Sequence, residues 1–164
     1  MIAFLSQTVL PFLVVIAGAN DFFTLRIPNW LNALIGIAFF PMAIMTGMPV
    51  EMMLWHSLAA FIVLAVGFGL FSGGYIGGGD VKLLAAAGLW FGWPALVPFL
   101  IFTALAGGVL ALAVKIWGMI EIERDVRGSS WMKRWLSFKA DLPYGLAIAA
   151  GAIVALPGTW WMPA

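Results

Sequence analysis

Long apolar runs alternate with short polar breaks along this chain, and that spacing leaves few folds open to it. The runs fall at about residues 2–19, 30–46, 57–71, 81–91, 94–117 and 142–156. Crossing a bilayer takes roughly 20 apolar residues, with about 17 as the usual lower limit. Only helices and closed barrels satisfy their backbone polar groups there. Composition agrees, with 64% hydrophobic and 9% charged residues, where a soluble domain carries about 25% charged. The expected fold is all-α: one integral membrane domain over residues 1–164, six transmembrane helices, and one sizeable polar loop at about 118–141. Ala17-Gly18-Ala19 has the small-x-small look of a signal-peptidase site, but no Lys or Arg precedes the first apolar run. The first run is therefore expected to stay as a span.

The fourth run is too short for an ordinary crossing helix and follows Gly73-Gly74-Tyr75-Ile76-Gly77-Gly78-Gly79. Charge placement tests whether it crosses. With the N-terminus outside, Arg26, Lys82, Lys115 and the 118–141 loop fall inside, so all eight Lys and Arg lie on the cytosolic side, as the positive-inside rule asks. Were the fourth run not to cross, Arg124, Arg127, Lys133, Arg134 and Lys139 would move outside. Trp30, Trp55, Trp90, Trp93, Trp117, Trp160 and Trp161 all fall at the ends of runs, where interfacial rings sit. Glu51 and His56 fall on an outer loop, and His56 beside Trp55 reads as another interfacial residue. In the 118–141 loop, Ser129 or Ser130 either caps a short basic helix lying on an anionic leaflet or belongs to a solvated connector.

Several function classes drop out. The net charge of +1 and the lack of a basic run give no footing for nucleic acid. With no cysteine and a single histidine, disulfides, thiolate zinc sites, cysteine nucleophiles and a Ser-His triad are excluded or left without parts. No cofactor and no metal are expected.

Among the seven acids, Asp21 and Asp80 stand beside apolar runs. Asp21 closes the first at its inner end, and Asp80 opens the fourth at the same side. An ionisable residue at membrane depth is costly and points to function by default. Two carboxylates close together in a low-dielectric site do not both ionise easily, so the pair shares a proton. That is what an aspartyl protease needs. One acid takes a proton from the attacking water, while the other polarises the peptide carbonyl and later protonates the leaving amine. The plainer alternatives are that Asp21 snorkels or pairs with Arg26, and that Asp80 is a helix-start acid paired with Lys82. Gly77 and Gly79 give the backbone before Asp80 conformational freedom and allow close approach.

Gly77-Gly78-Gly79-Asp80-Val81-Lys82 resembles the GxGD signature of the type IV prepilin leader peptidases. Asp21 followed by Arg26-Ile27-Pro28-Asn29 is similar to their first-aspartate motif. Leu142-Pro143-Tyr144-Gly145-Leu146-Ala147-Ile148-Ala149 is similar to the segment opening their last helix. The resemblance implies a six-helix membrane peptidase with Asp21 and Asp80 as its dyad, cutting pilin precursors on the cytosolic side of the bacterial inner membrane. Its partners would be a pilin-like precursor and the bilayer. Bifunctional members also carry a cytosolic segment with paired cysteines and methylate the new N-terminus. This chain has no cysteine and no room for that segment, and it resembles the short members serving tight-adherence (Flp) pilus assembly. Archaeal preflagellin peptidases are close in motif, whereas presenilin-type proteases place a tyrosine where Asn20 stands.

The remaining motif residues have readings of their own. Pro28 fits the first turn of the second helix, and Asn29 is placed to satisfy a backbone donor nearby. Tyr144 either offers a hydroxyl at the inner face or anchors there. Lys82 either tunes Asp80 or marks the inner boundary. A rival class is a proton-relay membrane subunit using the same two acids, but no inverted repeat supports it. A second is a catalytically silent subunit of a secretion machine.

Overall fold

A computed structural model describes residues 2–124 and 142–162, and the proposed amphipathic segment at 129–139 lies outside them. Among the described residues the structure is all-helical: α1 (Ile2–Thr24), α2 (Asn29–Met45), α3 (Val50–Ser72), α4 (Gly78–Arg124) and α5 (Tyr144–Ala155). α2, α3 and α5 each start directly after a proline, Pro28, Pro49 and Pro143, whose fixed φ suits entry into a helix. Segments 4–24, 50–72 and 78–117 are long and apolar enough to cross a membrane. Phe12, Ile37, Phe61 and Val109 are among many large apolar side chains left exposed. Helices apolar on every face suit a bilayer, not water.

α4 is not one straight rod. At Gly92 the backbone leaves the helix with φ 58° and ψ −174°, a conformation glycine adopts without Cβ strain. The two arms, 78–91 and 93–124, fold back on each other. The Phe91 and Phe99 rings stack with centroids 4.5 Å apart, and a Cβ on Gly88 would lie 3.3 Å from Leu96. α5 confirms the reversal, because Tyr144 lies against Gly107 and Gly151 against Thr103. Rising numbers in α5 thus meet falling numbers in the second arm, so these two run antiparallel.

A reversal inside an apolar bundle frees carbonyls that must find donors. Pro94 has no N–H to offer the Trp90 carbonyl, and the Trp161 indole Nε1–H takes it instead. The Leu89 carbonyl receives His56 Nδ1–H at 2.8 Å. Trp90 in turn donates its indole N–H to the Ile35 carbonyl at 3.0 Å. Phe39 stacks on His56 and meets Trp90 and Trp161 edge-on. This aromatic knot corrects two readings of the sequence. His56 is no interfacial loop residue: α3 begins at Val50, and His56 is buried one and a half turns inside it, 5% exposed. Trp90 and Trp161 are core residues, 0% and 2% exposed, while Trp30, Trp55, Trp93, Trp117 and Trp160 remain exposed.

Elsewhere the bundle closes through small residues. A Cβ on Gly18 of α1 would sit 3.1 Å from the Ala149 methyl and 3.2 Å from the Gly145 carbonyl. Such backbone-to-backbone approach is how membrane helices gain contact without a hydrophobic driving force. The core face of α1 carries Leu10, Leu13, Val14 and Ala17, at helical spacing. His56→Leu, which keeps bulk but orphans the Leu89 carbonyl, should cost about 1–3 kcal/mol. Thermal unfolding of the two proteins in the same detergent measures this, and an unchanged Tm would rule out the carbonyl-capture account of the reversal.

Candidate active site

The ends of α1 and α3 and the starts of α4 and α5 surround a cavity of about 750 Å³ at one end of the bundle. Asp21 and Asp80 both line it, together with Arg26, Tyr75, the 77–79 glycines and Tyr144. The structure thus brings the two sequence-predicted acids into one site. Asp21 sits in the last turn of α1, which runs on to Thr24 and past the expected end of the first span. Leu25, in a left-handed conformation with φ 54°, then ends the helix, its N–H bonded to the Asp21 carbonyl at 2.7 Å. A leucine rarely adopts this backbone. It turns the chain so that the buried Ile27 reaches under Gly79 and Gly145.

Asp21 is 5% exposed, and its position is set by Gly145, a glycine of the segment that opens the last helix. The Gly145 N–H, in the first turn of α5, donates to Asp21 Oδ2 at 2.7 Å. A side chain at 145 would put its Cβ 2.9 Å from both the Asp21 Cβ and Oδ2. Glycine is therefore required for α5 to come this close. A charge-assisted bond from a helix N-terminus is among the stronger anchors a carboxylate has.

Asp80 lies in the first turn of α4. Neither Gly77 nor Gly79 has a left-handed φ; within the glycine run that belongs to Gly74, with φ 75°. Their part is spatial, since a Cβ on Gly77 would come 2.7 Å from Asp80 Oδ2. Two asparagines of α2 hold the chain on either side of Asp80. Asn32 Nδ2 donates to the Gly79 carbonyl at 3.3 Å, and Lys82 Nζ donates to Asn29 Oδ1 at 2.9 Å. Asn29 therefore serves an ammonium and not a backbone donor, and Pro28 is the residue preceding α2. Asn32 went unnoticed in the sequence. The signal was there: a polar residue in an apolar run, three positions after Asn29 and so on the same face.

Tyr144 is half-buried on the cavity wall, with its hydroxyl against Gly107. The volume falls within the roughly 300–1,000 Å³ typical of ligand sites, and donors, acceptors and two carboxylates converge on it.

Apolar helices that reach across a bilayer, with a polar cavity at one end, define a multi-pass membrane protein. Its residues 8–112 match the type IV leader peptidase family, and the chain belongs to that family. It is similar to the prepilin leader peptidase/N-methyltransferase of Burkholderia pseudomallei (strain 1026b), 36% identical over 81 residues, covering 49% of this chain and 21% of that protein. It is also similar to the prepilin leader peptidase/N-methyltransferase of Bacillus subtilis (strain 168), 29% identical over 148 residues, covering 87% of this chain and 51% of that protein. The chain thus spans about half the length of the second relative and about a fifth of the first. No solved structure matches it.

Asp21→Asn keeps an oxygen for the Gly145 N–H, whereas Asp21→Ala leaves that buried donor without a partner. The alanine variant should unfold more easily than the asparagine variant, by about 1–3 kcal/mol. Equal melting temperatures would mean that the bond from α5 does not position Asp21.

Proposed function

We propose that this chain is an intramembrane aspartic endopeptidase that removes a short basic leader from type IV pilin-like precursors. Asp21 and Asp80 act as its catalytic pair. The observation that carries this is their meeting in one cavity, from α1 and α4, in a chain of the type IV leader peptidase family. One carboxylate takes a proton from the attacking water, and the other, protonated, polarises the scissile carbonyl and then gives its proton to the leaving amine. The Gly145 N–H and the two α2 asparagines fix the acids before substrate arrives, so little reorganisation remains at the moment of reaction. Tyr144 lines the substrate's path, and Lys82, held on Asn29, steadies the start of α4. No metal or other cofactor enters this scheme.

The finer assignment follows the charges. α4 counts as two crossings because it reverses at Gly92, which makes six in all. With the N-terminus outside, Arg26 and Lys82 at the cavity end face the cytosol, and the dyad works on the cytosolic side of the inner membrane. The sequence has no cysteine, and we read it as cutting without methylating, in the manner of the short peptidases of Flp pilus assembly.

Purified protein mixed with candidate precursors tests the reaction, with cleavage read by mass spectrometry. Asp21→Asn or Asp80→Asn alone should reduce cleavage by several orders of magnitude while membrane insertion is unchanged. Either variant retaining more than about a tenth of wild-type cleavage would remove it from the dyad.

Orientation has its own test. A cysteine at Thr24 should react with a membrane-impermeant thiol reagent only after the membrane is broken. One at Gly47, exposed between α2 and α3, should react in cells whose outer membrane alone is permeabilised. The opposite labelling would invert the topology.

A further inference from the structure

A second cavity, of about 520 Å³, opens at the other end of the bundle between the start of α3, the reversal in α4 and the turn after α5. Glu51, Trp55, His56, Trp93, Thr159 and Trp160 line it. The proposed reaction uses none of them. α3 alone, running from Glu51 to Ser72 beside the first cavity, separates the two by about 30 Å at 1.5 Å per residue.

The polar groups here share one property. His56 spends its Nδ1–H on the Leu89 carbonyl, which in the neutral ring leaves the lone pair on Nε2. Thr159 spends its hydroxyl proton on the Leu156 carbonyl at 2.6 Å. Trp160 spends its indole N–H on Thr46 Oγ1 at 3.1 Å. These residues offer the cavity lone pairs and ring faces, and Glu51 adds a carboxylate. Trp55, Trp93 and Trp160 are 51%, 40% and 42% exposed, so their faces are open to an occupant. No Lys or Arg lines the cavity. Among the described side chains Arg26, Lys82 and Lys115 belong to other parts of the molecule. An anionic group inside the cavity would find no counter-charge, so a lipid phosphate stays at its mouth, whereas a cation inside meets acceptors and π-faces together.

We propose that this cavity binds the primary ammonium headgroup of phosphatidylethanolamine. A membrane-end position makes a lipid the source of the cation, because interfacial tryptophans sit at headgroup level. The exposed Leu54, Leu58 and Val97 nearby offer the acyl chains an apolar path. Hydrogen-bond acceptors distinguish an ammonium with three N–H donors from a trimethylammonium with none, so phosphatidylcholine gains only the aromatic contacts.

The full chain is reconstituted in nanodiscs holding equal amounts of phosphatidylethanolamine, phosphatidylcholine and phosphatidylglycerol with the same acyl chains. It is then extracted in mild detergent, and the retained lipid is measured by mass spectrometry. Phosphatidylethanolamine should be enriched on the order of fivefold over each of the others, the size expected of about one net hydrogen bond against phosphatidylcholine and of one or two cation–π contacts against phosphatidylglycerol. Retained lipid that mirrors the bilayer, or favours phosphatidylglycerol, would overturn the proposal and leave an ordinary aromatic belt. Glu51→Gln, at an exposed position, should lower the preference, and Glu51→Gln with Trp93→Leu should bring it to parity. A preference that survives both substitutions would place the lipid elsewhere and overturn the site. Millimolar ethanolamine added during extraction should displace nothing. Displacement would assign the cavity to a free amine instead.

Discussion

A carbonyl left without a donor inside a bilayer has no water to turn to, and the architecture depends on how that demand is met at Gly92. The chain reverses there, and Pro94 denies the Trp90 carbonyl its helical donor. His56 from α3 donates to the Leu89 carbonyl and Trp161, after α5, to that of Trp90. Three distant parts of the sequence are thereby tied at one point, and Phe39 of α2 fills the space between them. Because the turn is made within the apolar bundle, the first arm is short. Its start, carrying Asp80, is drawn to the level at which α1 ends. The second arm is returned antiparallel to α5, which fixes where the Gly145 N–H stands.

The two acids of the one cavity are held in different ways. Around Asp21 the helices approach so closely that only glycine fits at 145, and the acid is held by backbone. Around Asp80, side chains of α2 hold the neighbouring residues, with Asn29 and Asn32 one helical turn apart reaching Lys82 and Gly79. The first arrangement is rigid because moving Asp21 means moving α1 against α5. The second leaves Asp80 on the first turn of a helix that follows a glycine run, whose left-handed residue, Gly74, lies six positions before it.

Much of this was legible in the sequence because membrane helices announce themselves by length and because acids in apolar surroundings are rare enough to be noticed. Topology puts Asp21 and Asp80 at one membrane level, and the GxGD and Ile-Pro-Asn stretches draw attention to the two acids. Polarity misled where a polar residue had a buried partner. Glu51 and His56 made the start of α3 look like a loop, since nothing local says that a carbonyl 33 positions away needs the His56 ring. Trp90 and Trp161 stand at run ends as interfacial rings would, yet their indole N–H groups are spent on core carbonyls. The glycines before Asp80 were read as backbone freedom, whereas the space beside them is what matters. Interactions between distant residues leave no periodic trace, and so Gly145 and Asn32 stayed hidden.

Helix direction supplies a reason why two acids are tolerated beside apolar spans at all. α2, α4 and α5 all begin at the end where Asp21 and Asp80 lie, while α1 and α3 finish there. Each helix start carries a partial positive charge of about half a proton and unpaired N–H groups. Asp80 sits on one such start and Asp21 is bonded to another. Fixed dipoles of this kind offset the loss of water around a carboxylate without adding a mobile cation that would compete for its oxygens. Lys82, the nearest lysine in sequence, is turned away to Asn29. Backbone dipoles thus meet both acids at the end of the bundle where the cavity opens.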